Sequence, residues 1–146
     1  MKALVIISLL LISGCSDTDS WTLIVNSADQ TYIEKEIQSG DEIIMSWIHS
    51  VEKTPWRETY QVNENGEWVL IETAFESFGA GVSHELGTMT IEDGEVIVRD
   101  LEEMVPEITW IHSHNAKYTV YFNEESLIET GDLPHHIPIE IIIEKG

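Results

Sequence analysis

The sequence predicts an all-β protein, an antiparallel sandwich or barrel-like domain of about eight strands that follows a signal peptide. Hydrophobic and polar residues alternate with a period of two along most of the chain, which is the pattern of half-buried strands. β-Branched and aromatic residues dominate these stretches, and Gly, Asn and Asp separate them. No stretch shows the 3.6-residue period that would favour a helix.

The candidate strands are short and closely spaced, as in sandwiches and barrels. They cover residues 21–26, 42–51, 57–63, 67–78, 89–91, 95–100, 108–115, 118–123 and 138–144. The dipeptides Asn65-Gly66 and Asp93-Gly94 readily adopt the positive φ angles of tight hairpins, so each is predicted to join two antiparallel strands. Residues 124–138 are predicted to form an irregular connection before the last strand.

The first fifteen residues have the organisation of a bacterial lipoprotein signal. Lys2 supplies a positive charge, residues 3–11 form an uncharged apolar run, and small residues precede Cys15. The apolar run is much shorter than the ~20 residues that a membrane-spanning helix needs. Because the junction resembles a lipobox, we expect residues 1–14 to be removed and Cys15 to carry the lipid. Residues 15–20 would then be a polar tether.

Lipid on Cys15 predicts attachment to the cell membrane on its extracytoplasmic side, since two acyl chains hold a small domain at a bilayer essentially permanently. Cys15 is the only cysteine, so no internal disulfide is possible. The chain that remains after cleavage is long enough for one core and too short for two ordinary domains. Residues 21–146 are therefore predicted to form a single β-rich domain.

The chain is strongly acidic, with a formal net charge of −20 at pH 7. Such a charge repels phosphate-rich partners, which excludes nucleic acid and anionic lipid headgroups as ligands. Hydrophobic residues make up 42% of the chain, so the acidity indicates a solvated shell around an ordinary core rather than disorder.

One segment with clustered charges is the most suggestive of a binding site. Lys53 and Arg57 are two of only seven Lys and Arg residues in the chain. Glu52 and Glu58 lie close enough in sequence for charge-assisted hydrogen bonds to them, and Trp56 offers a flat face to a cation. The candidate surface, which could receive a carboxylate or an acidic partner, consists of Glu52, Lys53, Thr54, Trp56, Arg57, Glu58 and Tyr60. The alternative is a strand–turn–strand junction whose charges pair with one another.

The histidines form a second candidate site. Alternation places His49 on the strand face that carries Met45, and His112 and His114 on the face that carries Trp110. If these strands are neighbours, the three imidazoles could bind zinc or copper. Histidines beside Trp often bond backbone carbonyls instead, and no dense motif such as His-Glu-x-x-His is present. We therefore predict no cofactor and keep the metal site as an alternative.

A short repeat links the two regions. The tetrapeptide Trp-Ile-His-Ser occupies residues 47–50 and again residues 110–113, each time within a predicted strand. Shared strand patterning explains four matching residues without a duplication of the fold.

The Gly-rich segment around residues 79–81 is followed by neither a helix nor a cation, and Gly-x-Ser-x-Gly is absent, so we predict no enzymatic activity.

Two blocks of sequence resemble a known family. Residues 50–60 read Ser-Val-Glu-Lys-Thr-Pro-Trp-Arg-Glu-Thr-Tyr, and residues 75–81 read Phe-Glu-Ser-Phe-Gly-Ala-Gly. In this order they resemble the small extracytoplasmic domain of unknown function 1850, over about residues 21–142. Members are often encoded beside, or joined to, TAXI-type tripartite ATP-independent periplasmic (TRAP) transporters. No catalytic residues come with the resemblance.

The resemblance implies an accessory role at a solute-uptake system, with a transporter membrane subunit or a solute-binding protein as the partner. Together with the lipobox, it predicts a lipid-anchored extracytoplasmic accessory or binding domain without enzymatic activity. Two alternatives remain open. One is a metal-binding envelope protein that uses the three histidines, and the other is a structural envelope lipoprotein without a ligand.

Overall fold

Twelve β-strands make up nearly all the regular structure of the residues that the computed structural model describes, which are 20–28, 30–76 and 87–146. The strands are β1 (Trp21–Ser27), β2 (Gln30–Ile37), β3 (Glu42–Ile48), β4 (Pro55–Val62), β5 (Trp68–Phe75), β6 (Thr88–Glu92), β7 (Glu95–Arg99), β8 (Glu103–Val105), β9 (Ile108–His112), β10 (Thr119–Phe122), β11 (Glu125–Ile128) and β12 (Ile137–Lys145). A 3₁₀ helix spans His114–Ala116. Within this part of the chain, no helix is long and apolar enough to cross a membrane.

Three of the sequence-based predictions concern residues outside this description. They are the signal peptide over residues 1–14, the lipidation of Cys15, and the tether, of which only Ser20 is described. The second family block, at residues 75–81, is described only as far as Glu76. These predictions therefore stay predictions.

The strands form two antiparallel sheets that face each other. One sheet has four strands in the order β2-β1-β12-β9, and the other has eight, in the order β11-β10-β3-β4-β5-β7-β6 with β8 also paired to β5. Buried residues of both sheets belong to one hydrophobic cluster. The prediction of an all-β antiparallel sandwich is therefore confirmed.

The core lies between the sheets, and alternation decides which side chains reach it. In β1, the buried residues Trp21, Leu23 and Val25 alternate with half-buried ones. From the opposite sheet, Ile43 and Met45 of β3 are buried in the same cluster. Full burial of a side chain of this size stabilises a fold by roughly 1.5–3 kcal/mol. The facing rows of apolar side chains are thus the main source of stability.

Both predicted hairpins are present, but their turns differ. Asp93 and Gly94, with φ of 50° and 92°, form the two-residue turn between β6 and β7. Between β4 and β5 only Gly66 has a positive φ, of 75°. Asn63 accounts for this longer turn, because its Oδ1 accepts hydrogen bonds from the backbone N–H groups of Asn65 and Glu67, at 2.9 Å each.

Strands β2, β8 and β11 were absent from the prediction, which explains why the described residues contain twelve strands rather than about eight. β2 and β11 each lie at one edge of their sheet, where solvent replaces a neighbour and the hydrophobic pattern weakens. β8 has only three residues. The prediction of an irregular connection over residues 124–138 is wrong at β11, because Asn123 and Glu124 make a tight turn with positive φ although neither is Gly.

Candidate functional site

The register between β3 and β4 divides the predicted binding surface between the two faces of the larger sheet. Glu58 lies opposite Met45, and Trp56 lies opposite Trp47. Directly opposed residues of an antiparallel pair share a face, and Met45 belongs to the core. Trp56, Glu58 and Tyr60 therefore lie on the inner face, which faces the four-stranded sheet. Arg57 falls between them in sequence, so its side chain lies on the outer face.

On the outer face, Arg57 joins a network of ion pairs. Its Nη2 lies 3.8 Å from a carboxylate oxygen of Glu72 and 3.6 Å from one of Glu95. Arg99 continues the network, with its Nε 3.0 Å from Glu72 and its Nη1 2.7 Å from Glu92. The hypothesis that Arg57 pairs with Glu58 is therefore wrong, because neighbouring residues of a strand point to opposite faces.

The tight connection between β3 and β4 holds the rest of the predicted surface. The backbone N–H of His49 donates to the carbonyl of Thr54, and that of Lys53 donates to the carbonyl of His49, at 2.9 Å each. Lys53 has a positive φ of 59° and is exposed. The backbone N–H of Glu52 donates to Nδ1 of His49 at 3.3 Å. Glu52, Lys53 and Thr54 therefore lie in the β3–β4 turn, outside the strand that carries Trp56, Glu58 and Tyr60.

Two aromatic donors hold the Glu58 carboxylate on the inner face. The Trp56 indole Nε1–H donates to its Oε1 at 3.2 Å, and the Tyr60 hydroxyl donates to its Oε2 at 2.5 Å. Burial, and then the charge of Glu58, raises the pKa of the Tyr60 phenol far above its usual value. The same two causes raise the pKa of Tyr118. Tyr60 and Tyr118 are therefore neutral hydroxyl groups beside a fixed carboxylate.

A group of aromatic rings packs together near this carboxylate. Trp47 stacks on Trp56 with ring centroids 6.0 Å apart, and on Tyr118 with centroids 5.7 Å apart. Trp110 reaches Tyr118 from the facing sheet, at 6.1 Å. Trp56 also stacks on Phe75 at 4.8 Å, which ties it to a second hydrophobic cluster on β5 and β7. The rings thus come from both sheets and from Tyr118, the residue that precedes β10.

Several of these side chains line a cavity of about 320 Å³ between the sheets. Residues of β3 and β4 line it on the larger sheet, and residues of β9, which lies at one edge of the smaller sheet, also line it. Its lining residues are Met45, Trp47, Glu58, Tyr60, Glu107, Ile108, Thr109, Trp110 and Tyr118. We name this cavity the Glu58 pocket.

Another cavity, of about 390 Å³, lies beside Gly66, Trp68 and Val105. Its single carboxylate, Glu67, accepts a hydrogen bond from the Asn63 side chain at 3.0 Å. The Glu58 pocket differs because its lining residues include two glutamates, two tyrosines and two tryptophans. An apolar cavity with a few converging polar groups is the usual form of a ligand site, so we take the Glu58 pocket as the candidate site.

The three histidines of the predicted metal site make other bonds. The ring of His49 packs on Trp56, with centroids 5.7 Å apart. Nδ1 of the buried His112 accepts from the Trp110 indole at 3.3 Å, and its Nε2 donates to the carbonyl of Thr130 at 2.9 Å. His114, in the 3₁₀ helix, similarly bonds a backbone carbonyl. Across the described residues, no three His, Cys, Asp or Glu side chains are grouped to hold a metal ion.

Sequence reasoning identified only one wall of the pocket. Glu58 and Tyr60 belonged to the predicted surface, as did Trp56, which bonds Glu58 without lining the pocket, whereas Trp110 and Tyr118 did not. The repeated tetrapeptide was the available signal. Its two copies place Trp47 and Trp110 on facing sheets, where both line the same cavity.

Comparison with known proteins agrees with the family resemblance. The profile of the family described as a domain of unknown function (DUF1850) matches residues 43–127, a range that contains every residue lining the Glu58 pocket. No curated protein and no solved structure matches the chain at a significant level. Because the match covers more than half of the sequence, the chain belongs to the DUF1850 family.

Proposed function

We propose that this protein is a lipid-anchored extracytoplasmic accessory domain that binds a ligand in the Glu58 pocket and serves a TAXI-type tripartite solute-uptake transporter. It has no enzymatic role in this proposal. The observation that carries the binding function is the pocket itself, in which aromatic rings from both sheets converge on a carboxylate held by Trp56 and Tyr60. Such preorganisation favours recognition of a ligand, since little conformational entropy is lost when the side chains of the site are ordered on binding.

The anchoring part of the proposal rests on the N-terminal sequence. A charged start, an apolar run and a small-residue junction before Cys15 are typical of a lipoprotein signal. The transporter part rests on the family, whose members are often encoded beside TAXI-type transporters or joined to them. A transporter membrane subunit or a solute-binding protein would be the partner.

Affinity purification of the tagged protein from detergent-solubilised native membranes tests the proposal. We expect stoichiometric recovery of a multi-span transporter subunit or a solute-binding protein. The Cys15→Ala protein, which cannot be lipidated, should be lost from the membrane fraction and recover much less of this partner. Recovery of the wild-type protein alone would contradict a stable transporter complex and favour a structural envelope lipoprotein.

A further inference from the structure

We infer that the Glu58 pocket recognises an organic cation, through an ammonium group seated between aromatic rings and carboxylates. This inference rests on the proposed binding function and names the chemistry of the ligand. The ammonium group could belong to a small solute or to a Lys side chain of a partner protein, and the test below separates these sources.

The aromatic walls favour a cation. Trp47, Trp110 and Tyr118 line one cavity, and the Tyr118 ring lies 5.7 Å from that of Trp47 and 6.1 Å from that of Trp110. The negative face of an aromatic ring attracts a cation, and Trp gives the strongest interaction. Several such rings around one cavity are the arrangement by which proteins recognise quaternary ammonium groups.

The charges in the pocket also favour a cation. Glu58 and Glu107 both line it, and none of its lining residues is Lys or Arg. Each oxygen of Glu58 receives one aromatic donor, which leaves it further acceptor capacity for a cation. A carboxylate or phosphate ligand would be repelled. Arg57, the cation that the sequence offered for such an anion, is paired with Glu72 and Glu95 on the outer face.

A bare metal ion fits the pocket less well than an organic cation does. Hard divalent cations require six or more oxygen ligands, and zinc requires three or four nitrogen, sulfur or oxygen ligands. The structure shows no group of three such side chains among the residues it describes. The apolar remainder of the lining, including Met45 and Ile108, suits the methyl or methylene groups that surround an organic ammonium.

Calorimetric titration of the full-length protein in a non-ionic detergent tests the inference. Choline is the first probe, and 3,3-dimethyl-1-butanol, which has the same shape without the charge, is its matched control. We expect choline to bind about tenfold or more tightly than the alcohol, because only the cation gains from the rings and carboxylates. Equal affinities, or no binding of any amine, would overturn the inference.

Comparison of choline with N-acetyl-lysinamide identifies the source of the ammonium group. Tighter binding of choline indicates a small solute, and tighter binding of the lysine derivative indicates a partner side chain. Neither result depends on purification of a transporter complex. Failure of the ligand chemistry and failure of the transporter association can therefore be told apart.

Variants assign the binding to the pocket. Glu58→Gln should weaken choline binding about tenfold or more, because it removes the charge that contacts the cation. Glu64→Gln, in the exposed β4–β5 turn, makes the same change in net charge and should leave the affinity unaltered. Glu107 is exposed, so Glu107→Gln should fold normally and still weaken choline binding several-fold. Unchanged affinity in a folded Glu58→Gln protein, or in Glu107→Gln if Glu58→Gln does not fold, would contradict the assignment.

Discussion

Gly66 is the position where a single added methyl group should damage the packing between the sheets most directly. An Ala Cβ at this residue would lie 2.4 Å from Nε1 and 2.5 Å from Cε2 of Trp21, which is buried in β1. These distances are far below the ~3.5–4 Å at which such atoms pack. Displacement of a well-packed ring costs about 1–3 kcal/mol. The positive φ of 75° adds about 1–2 kcal/mol for any residue with a Cβ.

The expected loss for Gly66→Ala is therefore about 2–5 kcal/mol in the free energy of unfolding. Gly94→Ala is the matched control, because Gly94 also has a positive φ, of 92°, but a Cβ there would meet no atom within 4 Å. It should lose only the backbone contribution of about 1–2 kcal/mol. Urea denaturation followed by Trp fluorescence measures both values. Equal losses in the two variants would refute the packing of the β4–β5 turn on Trp21.

Three further predictions concern single ionisable or polar groups. The Arg99 guanidinium lowers the pKa of Glu92 to about 2, so NMR titration of Arg99→Gln should show this pKa rising towards its ordinary value. Desolvation, and then the charge of His136, lowers the pKa of His135, so the native state resists its protonation and stability should fall as the pH drops through about 6.5. His135→Asn should make this loss smaller in denaturation curves at different pH, and an unchanged pH dependence would contradict the prediction. Tyr60→Phe removes a hydrogen-bond donor from the charged Glu58 carboxylate and should lower the free energy of unfolding by roughly 1.5–3 kcal/mol, measured by urea denaturation. Wild-type stability of this variant would contradict a stabilising role for the bond.

The sequence predicted the fold class because strand periodicity is a local property. Local sequence was enough to predict strand β1 from the alternation in residues 21–26. It was also enough to predict two hairpins, from the turn dipeptides Asn65-Gly66 and Asp93-Gly94. The edge strands β6 and β9 were predicted, but the edge strands β2 and β11 were missed, and β2 shows the physical reason. In β2, Glu34, Lys35 and Glu36 are tolerated because one side of the strand faces solvent.

The candidate site could be predicted only in part, because its walls come from distant parts of the chain. Trp56, Glu58 and Tyr60 are close in sequence, so their clustering was visible. Trp110 reaches the same cavity only through the packing of one sheet on the other, which depends on long-range contacts. Arg57 was grouped with Trp56, Glu58 and Tyr60 because it is close to them in sequence, although the alternation of a strand places it on the opposite face.

The most direct test of the Glu58 pocket as the binding site is an NMR titration of the five Trp indole N–H signals with choline. We predict shifts for Trp47 and Trp110, which line the pocket, and for Trp56, whose indole bonds Glu58. Trp21 and Trp68 lie outside the pocket and should not shift. Shifts confined to Trp68, which lines the other cavity, or no shifts at all, would contradict the account.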